Sequence, residues 1–485
     1  MIITNIRRSG ILLHPTSLPN SQGIGTFGKE AFRFIDWLES AGLTIWQVLP
    51  LTPTGFGESP YSSYSAFAGN PLLIDLDQLI QKDYLTSLDC SIPDNVHDDN
   101  FVNFELLKKW KLPLLNLAAN EFLKKLNTAE KKEYELFKRK NKFWLDDFAI
   151  YMCKKENNKS DKIKIEKYKV IQYFFFEQWI KLKSYANEKN ILIIGDLPIF
   201  VASDSVDVET HPELFQLKNG KPTVVAGVPP DYFSETGQLW GNPLYNWKTM
   251  EEDNYDWWIQ RIKHSLTMYD MIRIDHFRGF ESYWAVPAKE KTAVKGKWIA
   301  GPGKKLFDAI EQKLGKLPII AEDLGVITEK VTALRDACGF PGMKVLQFAF
   351  SDAKNAFLPH NFTTTNSVIY TGTHDNDTTQ GWVDSLNDKQ LSFLHNYLGE
   401  CMGIHIPHTH LCAALLRLCL ASIANTAIFP LQDVYALGTE TKMNTPGTCG
   451  GTNWAWRMKK EMLDSTLARQ KAQWLKNMNA LYARN

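Results

Sequence analysis

Met271-Ile-Arg-Ile-Asp-His-Phe-Arg-Gly-Phe280 is an apolar, strand-like run that delivers two arginines, an aspartate and a histidine within six residues. The pattern recurs in Ile319-Ile-Ala-Glu-Asp-Leu-Gly325 and in Val368-Ile-Tyr-Thr-Gly-Thr-His-Asp-Asn-Asp377, where an apolar run again ends in acids. These segments predict acids at the ends of three strands. Because a parallel α/β barrel carries its catalytic groups at the C-terminal ends of several strands, the three acids are expected to share one site.

Short apolar runs that end in Gly, Pro, Asp or Asn predict eight strands along the chain. Most are followed by a segment of helical period, as in 30–41, 304–314, 329–338 and 411–424. This alternation predicts an α/β fold, a (β/α)8 TIM barrel with mostly helical insertions between barrel strands. The expected strands are Gly10–His14, Ile45–Pro50, Ile191–Ile199, Met271–Asp275, Ile319–Asp323, Val345–Phe350, Val368–Thr373 and Ala427–Gln432.

Two intervals are too long to be ordinary loops. We predict that residues 1–485 form a single catalytic barrel and that residues 52–185 form a mostly helical insertion subdomain. Residues 200–255 are rich in Gly, Pro, Asn and aromatic side chains, a composition typical of an irregular loop region over an active site.

The charge balance argues against a polyanionic partner. The 55 Lys and Arg residues against 54 Asp and Glu leave a net charge of +1, which disfavours binding to nucleic acid or to an anionic membrane through bulk electrostatics. A neutral partner fits better. The 15 Trp and 17 Tyr residues suit stacking on sugar rings, although aromatic residues more often pack in a core.

Seven scattered cysteines with no Cys-x-x-Cys spacing predict reduced thiols and a cytoplasmic protein. The first residues lack the apolar core of a signal peptide. The most apolar stretch, 411–431, is interrupted by Arg417 and Asn425, so we interpret it as a buried helix followed by a barrel strand.

Retaining cleavage of a glycosidic bond requires a carboxylate nucleophile and a second carboxyl group that acts as acid and then as base. Asp275 and Glu322 suit these roles. Arg273, two residues before Asp275 on the same face of a strand, is expected to keep the nucleophile ionised and to lower its pKa. Glu322 has no such neighbour and is expected to keep a raised pKa, while Asp323 points to the opposite face.

The third acid, Asp375, follows His374, and both side chains can bind sugar hydroxyls as charge develops on the ring. For each acid taken alone, a structural cap or a surface ion pair is an equal alternative. The histidines of 405–410 have the residue types of a metal site but lack accompanying ligands, so no metal is predicted. The glycines of 55–61 are not followed by Lys-Ser/Thr, and no cofactor is indicated.

Beyond these patterns, the chain resembles the 4-α-glucanotransferases of the amylomaltase or disproportionating-enzyme kind, glycoside hydrolase family 77, over nearly its whole length. The motifs that carry the resemblance are Gly10-Ile-Leu-Leu-His-Pro-Thr-Ser-Leu-Pro19, Trp46-Gln-Val-Leu-Pro-Leu51, Ser59-Pro-Tyr61 with Ser65-Ala-Phe-Ala-Gly-Asn70, Gly195-Asp-Leu-Pro-Ile199, Leu239-Trp-Gly-Asn-Pro-Leu-Tyr245 and Asn444-Thr-Pro-Gly-Thr448 with Asn453-Trp454.

The resemblance implies roles for individual residues. Asp275 is then the nucleophile, Glu322 the general acid/base and Asp375 the transition-state stabiliser, the same roles that the strand-end chemistry suggests. Phe348, which the resemblance places against the glucan, is equally consistent with barrel core. The loop 229–237 resembles the family's loop over the donor chain. The residues implied to bind substrate are Arg273, His374, Asp196, Tyr61, Trp240, Phe348 and Asn444.

One segment departs from the family pattern. Between Met152 and Tyr173 the chain has only a short Lys/Asn-rich link, where relatives usually carry a longer segment with Trp and Pro. That region flanks the family's groove for long glucans, so the preferred chain length and the formation of large cyclic products are left open.

The sequence therefore predicts an enzyme that acts on maltooligosaccharides and α-1,4-glucans without a cofactor. The expected reaction passes a glucan segment to the 4-hydroxyl of an acceptor through a β-glucosyl ester on Asp275. Two alternatives are an α-glucan hydrolase with the same barrel and a glucan-binding protein without activity. Protein partners and oligomeric state are not specified by the sequence.

Overall fold

The computed structural model describes residues 6–96, 98–157, 161–230 and 234–484. Within these ranges the strands are β1 (Arg8–Leu12), β2 (Ile45–Gln47), β3 (Leu192–Pro198), β4 (Leu217–Lys218), β5 (Lys221–Pro222), β6 (Val224–Val228), β7 (Gln238–Pro243), β8 (Met271–Asp275), β9 (Ser282–Pro287), β10 (Lys297–Ala300), β11 (Ile319–Ala321), β12 (Gly342–Val345), β13 (Ser367–Tyr370) and β14 (Thr426–Pro430).

Helices alternate with these strands. They are α1 (Lys29–Ser40), α2 (Leu76–Gln81), α3 (Phe104–Lys125), α4 (Thr128–Lys140), α5 (Lys142–Asn157), α6 (Lys162–Glu188), α7 (Val206–Thr210), α8 (Trp247–Glu252), α9 (Asp256–Met268), α10 (Lys304–Leu314), α11 (Glu329–Ala337), α12 (Thr379–Asp384), α13 (Asp388–Leu398), α14 (Leu411–Ala421), α15 (Leu431–Val434) and α16 (Thr466–Leu481).

Eight parallel strands close into a barrel in the order β1-β14-β13-β12-β11-β8-β3-β2. The predicted (β/α)8 TIM barrel is therefore confirmed. The register of β3 against β8 pairs Asp196 with Arg273 and Pro198 with Asp275. Because cross-strand neighbours project from the same side of a sheet, this register brings the Asp196 carboxylate to the Arg273 guanidinium inside the barrel.

The sixth barrel strand was predicted wrongly. We expected Val345–Phe350, but β12 ends at Val345, and Leu346–Phe348 forms a 3-10 helix. Lys344 interrupts the apolar pattern of the true strand, and Gly342 lowers its strand propensity. Gly342 is required, because a Cβ atom there would lie 2.5 Å from an Asp323 carboxylate oxygen.

The two long intervals carry structure of their own. Residues 52–185 contain α2 to α5 and most of α6. Residues 200–255 are not simply irregular, because β6 and β7 join β9 and β10 in an antiparallel sheet of order β10-β9-β6-β7. The Gly and Pro residues of this interval only shorten its strands. We retain as a proposal the division into one catalytic barrel and two insertion regions.

Candidate active site

Three acids lie at the C-terminal ends of barrel strands. Asp275 is the last residue of β8, Glu322 directly follows β11, and Asp375 lies in the loop between β13 and α12. Backbone hydrogen bonds join the first two segments, since Glu322 donates its N–H to the Ile274 carbonyl at 3.0 Å and accepts the N–H of Phe277 at 3.0 Å. The parallel barrel therefore brings these separate segments to one rim.

A buried arginine connects the nucleophile candidate to the barrel interior. Arg273 Nη1 donates to both oxygens of Asp196, at 2.8 and 2.6 Å. Its Nη2 lies 3.0 Å from Asp275 Oδ1. Burial lowers the pKa of Arg273, but the carboxylates of Asp196 and Asp275 raise it well above its usual value. The guanidinium therefore remains a fixed cation beneath Asp275.

Asp196 lies below the surface of the site. Its side chain is completely buried and also accepts a hydrogen bond from the Tyr61 hydroxyl at 2.7 Å. Asp196 thus holds Arg273 and Tyr61 in place. Its predicted contact with substrate stays a prediction, and its position favours a supporting role.

Glu322 is held by the backbone of its neighbours. Its Oε2 accepts the His276 N–H at 2.7 Å, and its Oε1 accepts the Leu324 N–H at 2.8 Å. Asp323 turns the other way, as predicted, and accepts from Met343 N and Arg335 Nη1 at 2.7 and 2.5 Å. The carboxyl of Glu322 is therefore fixed in orientation beside β8.

Burial raises the pKa of both Asp275 and Glu322. For Asp275 the Arg273 guanidinium opposes burial, and the carboxylate of Glu322 acts in the same direction as burial. Arg273 lowers the pKa of Asp275, as expected, but burial outweighs the ion pair, so the expected net lowering is wrong. The raised pKa expected for Glu322 is confirmed. Since the two groups interact, they titrate as a pair that retains one proton to higher pH than an isolated acid.

Asp375 is positioned by Asn444 and lies beside His374. Asn444 Nδ2 donates to Asp375 Oδ1 at 2.7 Å, and the Asn444 N–H donates to the His374 carbonyl at 3.2 Å. His374 Nε2 lies 3.5 Å from Asp375 Oδ2. Burial lowers the pKa of His374, so the imidazole is neutral and can exchange hydrogen bonds with a sugar hydroxyl.

Aromatic rings form one wall of the site. The Tyr61 ring stacks on His374 with centroids 5.2 Å apart and planes 13° apart. Trp454 lies 5.8 Å from Tyr61 and 5.9 Å from His374. We did not single out Trp454 as a site residue, although it belongs to a motif that carries the resemblance. Asn453-Trp454 accompanies the motif of Asn444, which is predicted to bind substrate, and this nearness in sequence could have indicated Trp454. Only the fold, however, brings Trp454 to His374.

Two further aromatic side chains predicted to bind substrate are exposed. Trp240 on β7 is 38% exposed, and its ring meets His276 edge to face at 4.8 Å. Phe348 is 39% exposed and packs against Phe357 at 5.9 Å. The exposure of Phe348 excludes the alternative of barrel core. Trp240 therefore lies beside the residue that follows Asp275, with part of its ring open to a ligand.

His14, two residues after the end of β1, is a second residue of the site that the sequence patterns do not single out. It is buried next to His374, and burial together with His374 lowers its pKa to about 3. As the last residue of the predicted strand Gly10–His14, it could not be distinguished by its position from an ordinary core histidine. His14 is therefore a buried, neutral neighbour of His374.

Two predicted features fall partly outside the described residues. The loop 229–237 includes residues 231–233, and the shortened link after Met152 includes residues 158–160, all of which lie outside the described residues.

Over the described ranges, no group of three or more His, Cys, Asp or Glu side chains has the arrangement of a metal site. In the 405–410 segment, His408 Nε2 instead lies 2.7 Å from Asp384 Oδ1. No described helix is long and apolar enough to cross a membrane.

Comparison with known proteins agrees with this geometry. The sequence model of a family described as 4-alpha-glucanotransferase matches residues 13–164 and 154–464. The chain belongs to the 4-alpha-glucanotransferase family. It is 46% identical over 479 residues to the 4-alpha-glucanotransferase of Thermus thermophilus, which covers 93% of this chain and 95% of the relative. A relative from Solanum tuberosum, a chloroplastic/amyloplastic 4-alpha-glucanotransferase, is 45% identical over 93% of this chain and 82% of its own length.

Solved structures of this family share the fold. The amylomaltase from Streptococcus agalactiae in complex with acarbose superposes with a TM-score of 0.92 at 41% identity, over 99% of this chain and 100% of the other. The amylomaltase from Corynebacterium glutamicum gives a TM-score of 0.82 over 99% of this chain and 75% of the other. At 18% identity this second likeness concerns the fold alone. This chain is thus an enzyme of the 4-alpha-glucanotransferase family.

Proposed function

We propose that the chain transfers segments of α-1,4-glucans with retention of configuration, through a covalent intermediate on Asp275. The observation that carries this proposal is the ion pair at 3.0 Å between Arg273 and Asp275, together with the nearby Glu322 carboxyl group, whose charge raises the pKa of Asp275. A carboxylate oriented by a fixed cation and paired with a second carboxyl group is the arrangement that a retaining mechanism requires.

In the first step Asp275 attacks the anomeric carbon of the donor as the glycosidic bond breaks. Glu322 gives its proton to the departing 4-oxygen, so the released glucan leaves as an alcohol and Asp275 carries a β-glucosyl ester. As the first bond breaks, positive charge builds on the ring. The direct ion pair between Arg273 and Asp275, at 3.0 Å, supports Asp275 as the ionised nucleophile and leaves Glu322 as the proton donor.

In the second step the 4-hydroxyl of an acceptor glucan or glucose attacks the same carbon and displaces Asp275. Glu322, now ionised, takes the proton of that hydroxyl, which restores both carboxyl groups. Asp375 and His374 bind ring hydroxyls and stabilise the developing charge, and Asn444 orients Asp375 through the bond at 2.7 Å.

The glucan would lie along Tyr61, Trp240 and Phe348. Each presents partly exposed ring surface, the surface that stacks on the C–H faces of sugars. Transfer exceeds hydrolysis when such surfaces hold an acceptor hydroxyl at the ester better than water is held there.

We also propose a reducing compartment such as the cytoplasm, because the seven cysteines are all free.

Incubation with maltotriose separates the candidate reactions. Glucose and a ladder of longer maltooligosaccharides, at a constant number of reducing ends, are expected for transfer. Rising reducing ends with only shorter products would identify a hydrolase instead.

The Asp275→Asn variant tests the mechanism and the binding-protein alternative together. Turnover is expected to fall by roughly 10⁴-fold or more, because the nucleophile is lost, while maltotriose binding measured by calorimetry persists. Full turnover in this variant would exclude the covalent route through Asp275. An inactive wild-type protein that still binds maltotriose would favour the binding protein.

A further inference from the structure

A buried carboxylate outside the three acids holds both ends of the loop that carries His374 and Asp375. Asp433 lies in the short helix α15, directly after β14, and its side chain is 2% exposed. Its Oδ2 accepts the hydroxyls of Thr371 and Thr379 at 2.5 and 2.6 Å. Its Oδ1 accepts the Thr379 N–H at 2.7 Å.

These contacts satisfy Asp433 without a cation. Among the described residues no Lys, Arg or His side chain forms an ion pair with it, and burial raises its pKa while the two threonines lower it. A buried carboxyl group without a cation is costly unless donors surround it, and removal of a donor leaves it unsatisfied. The carboxylate of Asp433 therefore has its hydrogen-bond donors only when Thr371 and Thr379 are both in place.

The two threonines are the boundaries of the catalytic loop. Thr371 follows the last residue of β13, and Thr379 is the first residue of α12. The loop between them is braced internally, since Asn376 Oδ1 accepts the N–H and hydroxyl of Thr373, both at 2.9 Å. The Asp433 carboxylate thus fixes the distance between the two ends of the loop that carries His374 and Asp375.

We propose that Asp433 is a positioning residue for glucan transfer, which sets the placement of Asp375 by holding Thr371 and Thr379 together. The inference rests on the role proposed above for Asp375. Asp433 acts through the loop and not on the sugar. Loss of its contacts should therefore lower kcat and leave KM nearly unchanged, because the misplaced group acts on the transition state.

The first experiment compares Asp433→Asn with Asp75→Asn. Asp75 is a matched control, since it is also 2% exposed and accepts from Thr26 Oγ1, Gln22 Nε2 and the Gln78 N–H, none of which belongs to the active site. Both variants should melt at a lower temperature. Only Asp433→Asn should lose activity per folded molecule, with kcat for maltotriose disproportionation reduced on the order of 10²-fold and KM within about twofold.

An Asp433→Asn enzyme with wild-type kcat would overturn the proposal, as would an equal loss of kcat in the Asp75→Asn control. If Asp433→Asn does not fold, Thr371→Val with Thr379→Val removes the two hydroxyls without changing side-chain shape. This double variant should then show the same selective fall in kcat, and an unchanged kcat would again overturn the proposal.

A double-mutant cycle with Asp375→Asn separates this inference from the proposed function. Asp375→Asn alone should abolish most transfer, and if it does not, the assigned role of Asp375 fails whatever Asp433 does. With Asp375→Asn as the background, Asp433→Asn should cost less than tenfold further, because the group that it positions is already lost. A full 10²-fold additional loss would show that Asp433 acts independently of Asp375.

Discussion

Arg273 lies near the C-terminal end of the barrel and Arg484 at the opposite end, and both side chains are at least 95% buried. Arg273 binds the carboxylates of Asp196 and Asp275. Arg484 binds six backbone carbonyls, those of Arg8, Cys419, Leu420, Ser422, Ala424 and Asn425, at 2.8 to 3.4 Å. A guanidinium thus orients a reactive carboxylate at one end of the barrel. At the other end, a guanidinium joins the C-terminal end of α14 to the starts of β1 and β14 by hydrogen bonds to their carbonyls.

This difference separates chemistry from stability. A guanidinium that faces carboxylates fixes charges where a reaction needs them. A guanidinium that faces carbonyls satisfies the unpaired acceptors at a helix C-terminus and favours the negative end of the helix dipole. Substitutions at the two arginines should therefore be distinguishable by measurements of rate and of unfolding.

Of the substitutions that test this comparison, Arg273→Ala is expected to have the largest effect. Removal of the cation leaves Asp196 and Asp275 uncompensated, so kcat should fall by roughly 10²- to 10³-fold. The free energy of unfolding should also fall by about 3 to 5 kcal/mol, because a buried partner loses its counter-ion. Maltotriose kinetics and chemical denaturation check both. Arg273→Lys is the control that keeps the cation and should lose less activity than Arg273→Ala, and full activity in Arg273→Ala would contradict the role given to Arg273.

At the other end of the barrel, Arg484→Ala should lower stability and leave catalysis intact. The loss of charge-assisted hydrogen bonds to carbonyls is expected to cost about 3 kcal/mol of unfolding free energy, with kcat and KM unchanged below the melting temperature. Arg469→Ala, an exposed arginine in α16, serves as the matched control and should alter neither. A reduced kcat in Arg484→Ala would mean that the two ends are not separable.

Low pH should destabilise the folded protein through His14, which lies at the catalytic end of the barrel. Its folded pKa of about 3 lies below the ordinary value of 6.5, so the unfolded chain takes up a proton that the folded chain refuses. The stability that depends on neutral His14 is complete above pH 6.5 and is lost as pH falls from there towards 3, by roughly 3 kcal/mol at pH 4. His14→Gln should flatten this part of the pH–stability curve, and an unchanged curve would contradict it.

The smallest effect is expected on glucan binding. Trp240→Ala removes one stacking surface, worth about 0.5 to 1.5 kcal/mol, so KM for maltooligosaccharides should rise up to about tenfold with little change in stability. Trp298 is a useful control, because it is 40% exposed on the same antiparallel sheet but carries no predicted role. Trp298→Ala should leave KM unchanged, and equal effects of both variants would remove the special role of Trp240.

Much of the fold and the identity of the acids followed from local patterns. The bounds of β8 were predicted correctly, because apolar alternation and the terminal acid coincide in Met271–Asp275. β12 was misplaced because the mostly apolar run from Val345 to Phe350 outweighed Gly342–Val345, in which Gly342 and Lys344 weaken the strand pattern. The sequence contained the catalytic candidates because each lies at or shortly after the C-terminal end of an apolar run that forms a strand.

The remaining properties depend on contacts between distant segments. The net direction of the Asp275 pKa required knowledge of burial, which the adjacent Arg273 did not reveal. Trp454 and Asp433 gain their roles from His374 and Thr371, which are far from them in sequence. No periodicity or local motif records such pairings, so they emerge only when the barrel closes.

The hydrogen bonds from Arg484 to six backbone carbonyls also constrain when the protein can finish folding. Arg484 donates to the carbonyl of Arg8 across 476 residues of chain, and β1 pairs with β14 across a similar span. At synthesis rates of about 5 to 20 residues per second, residue 484 emerges roughly 25 to 100 seconds after residue 8. For most of that time β1 also lacks its β14 neighbour, and the exposed edge of such an incomplete barrel presents unpaired backbone groups that can pair with another chain.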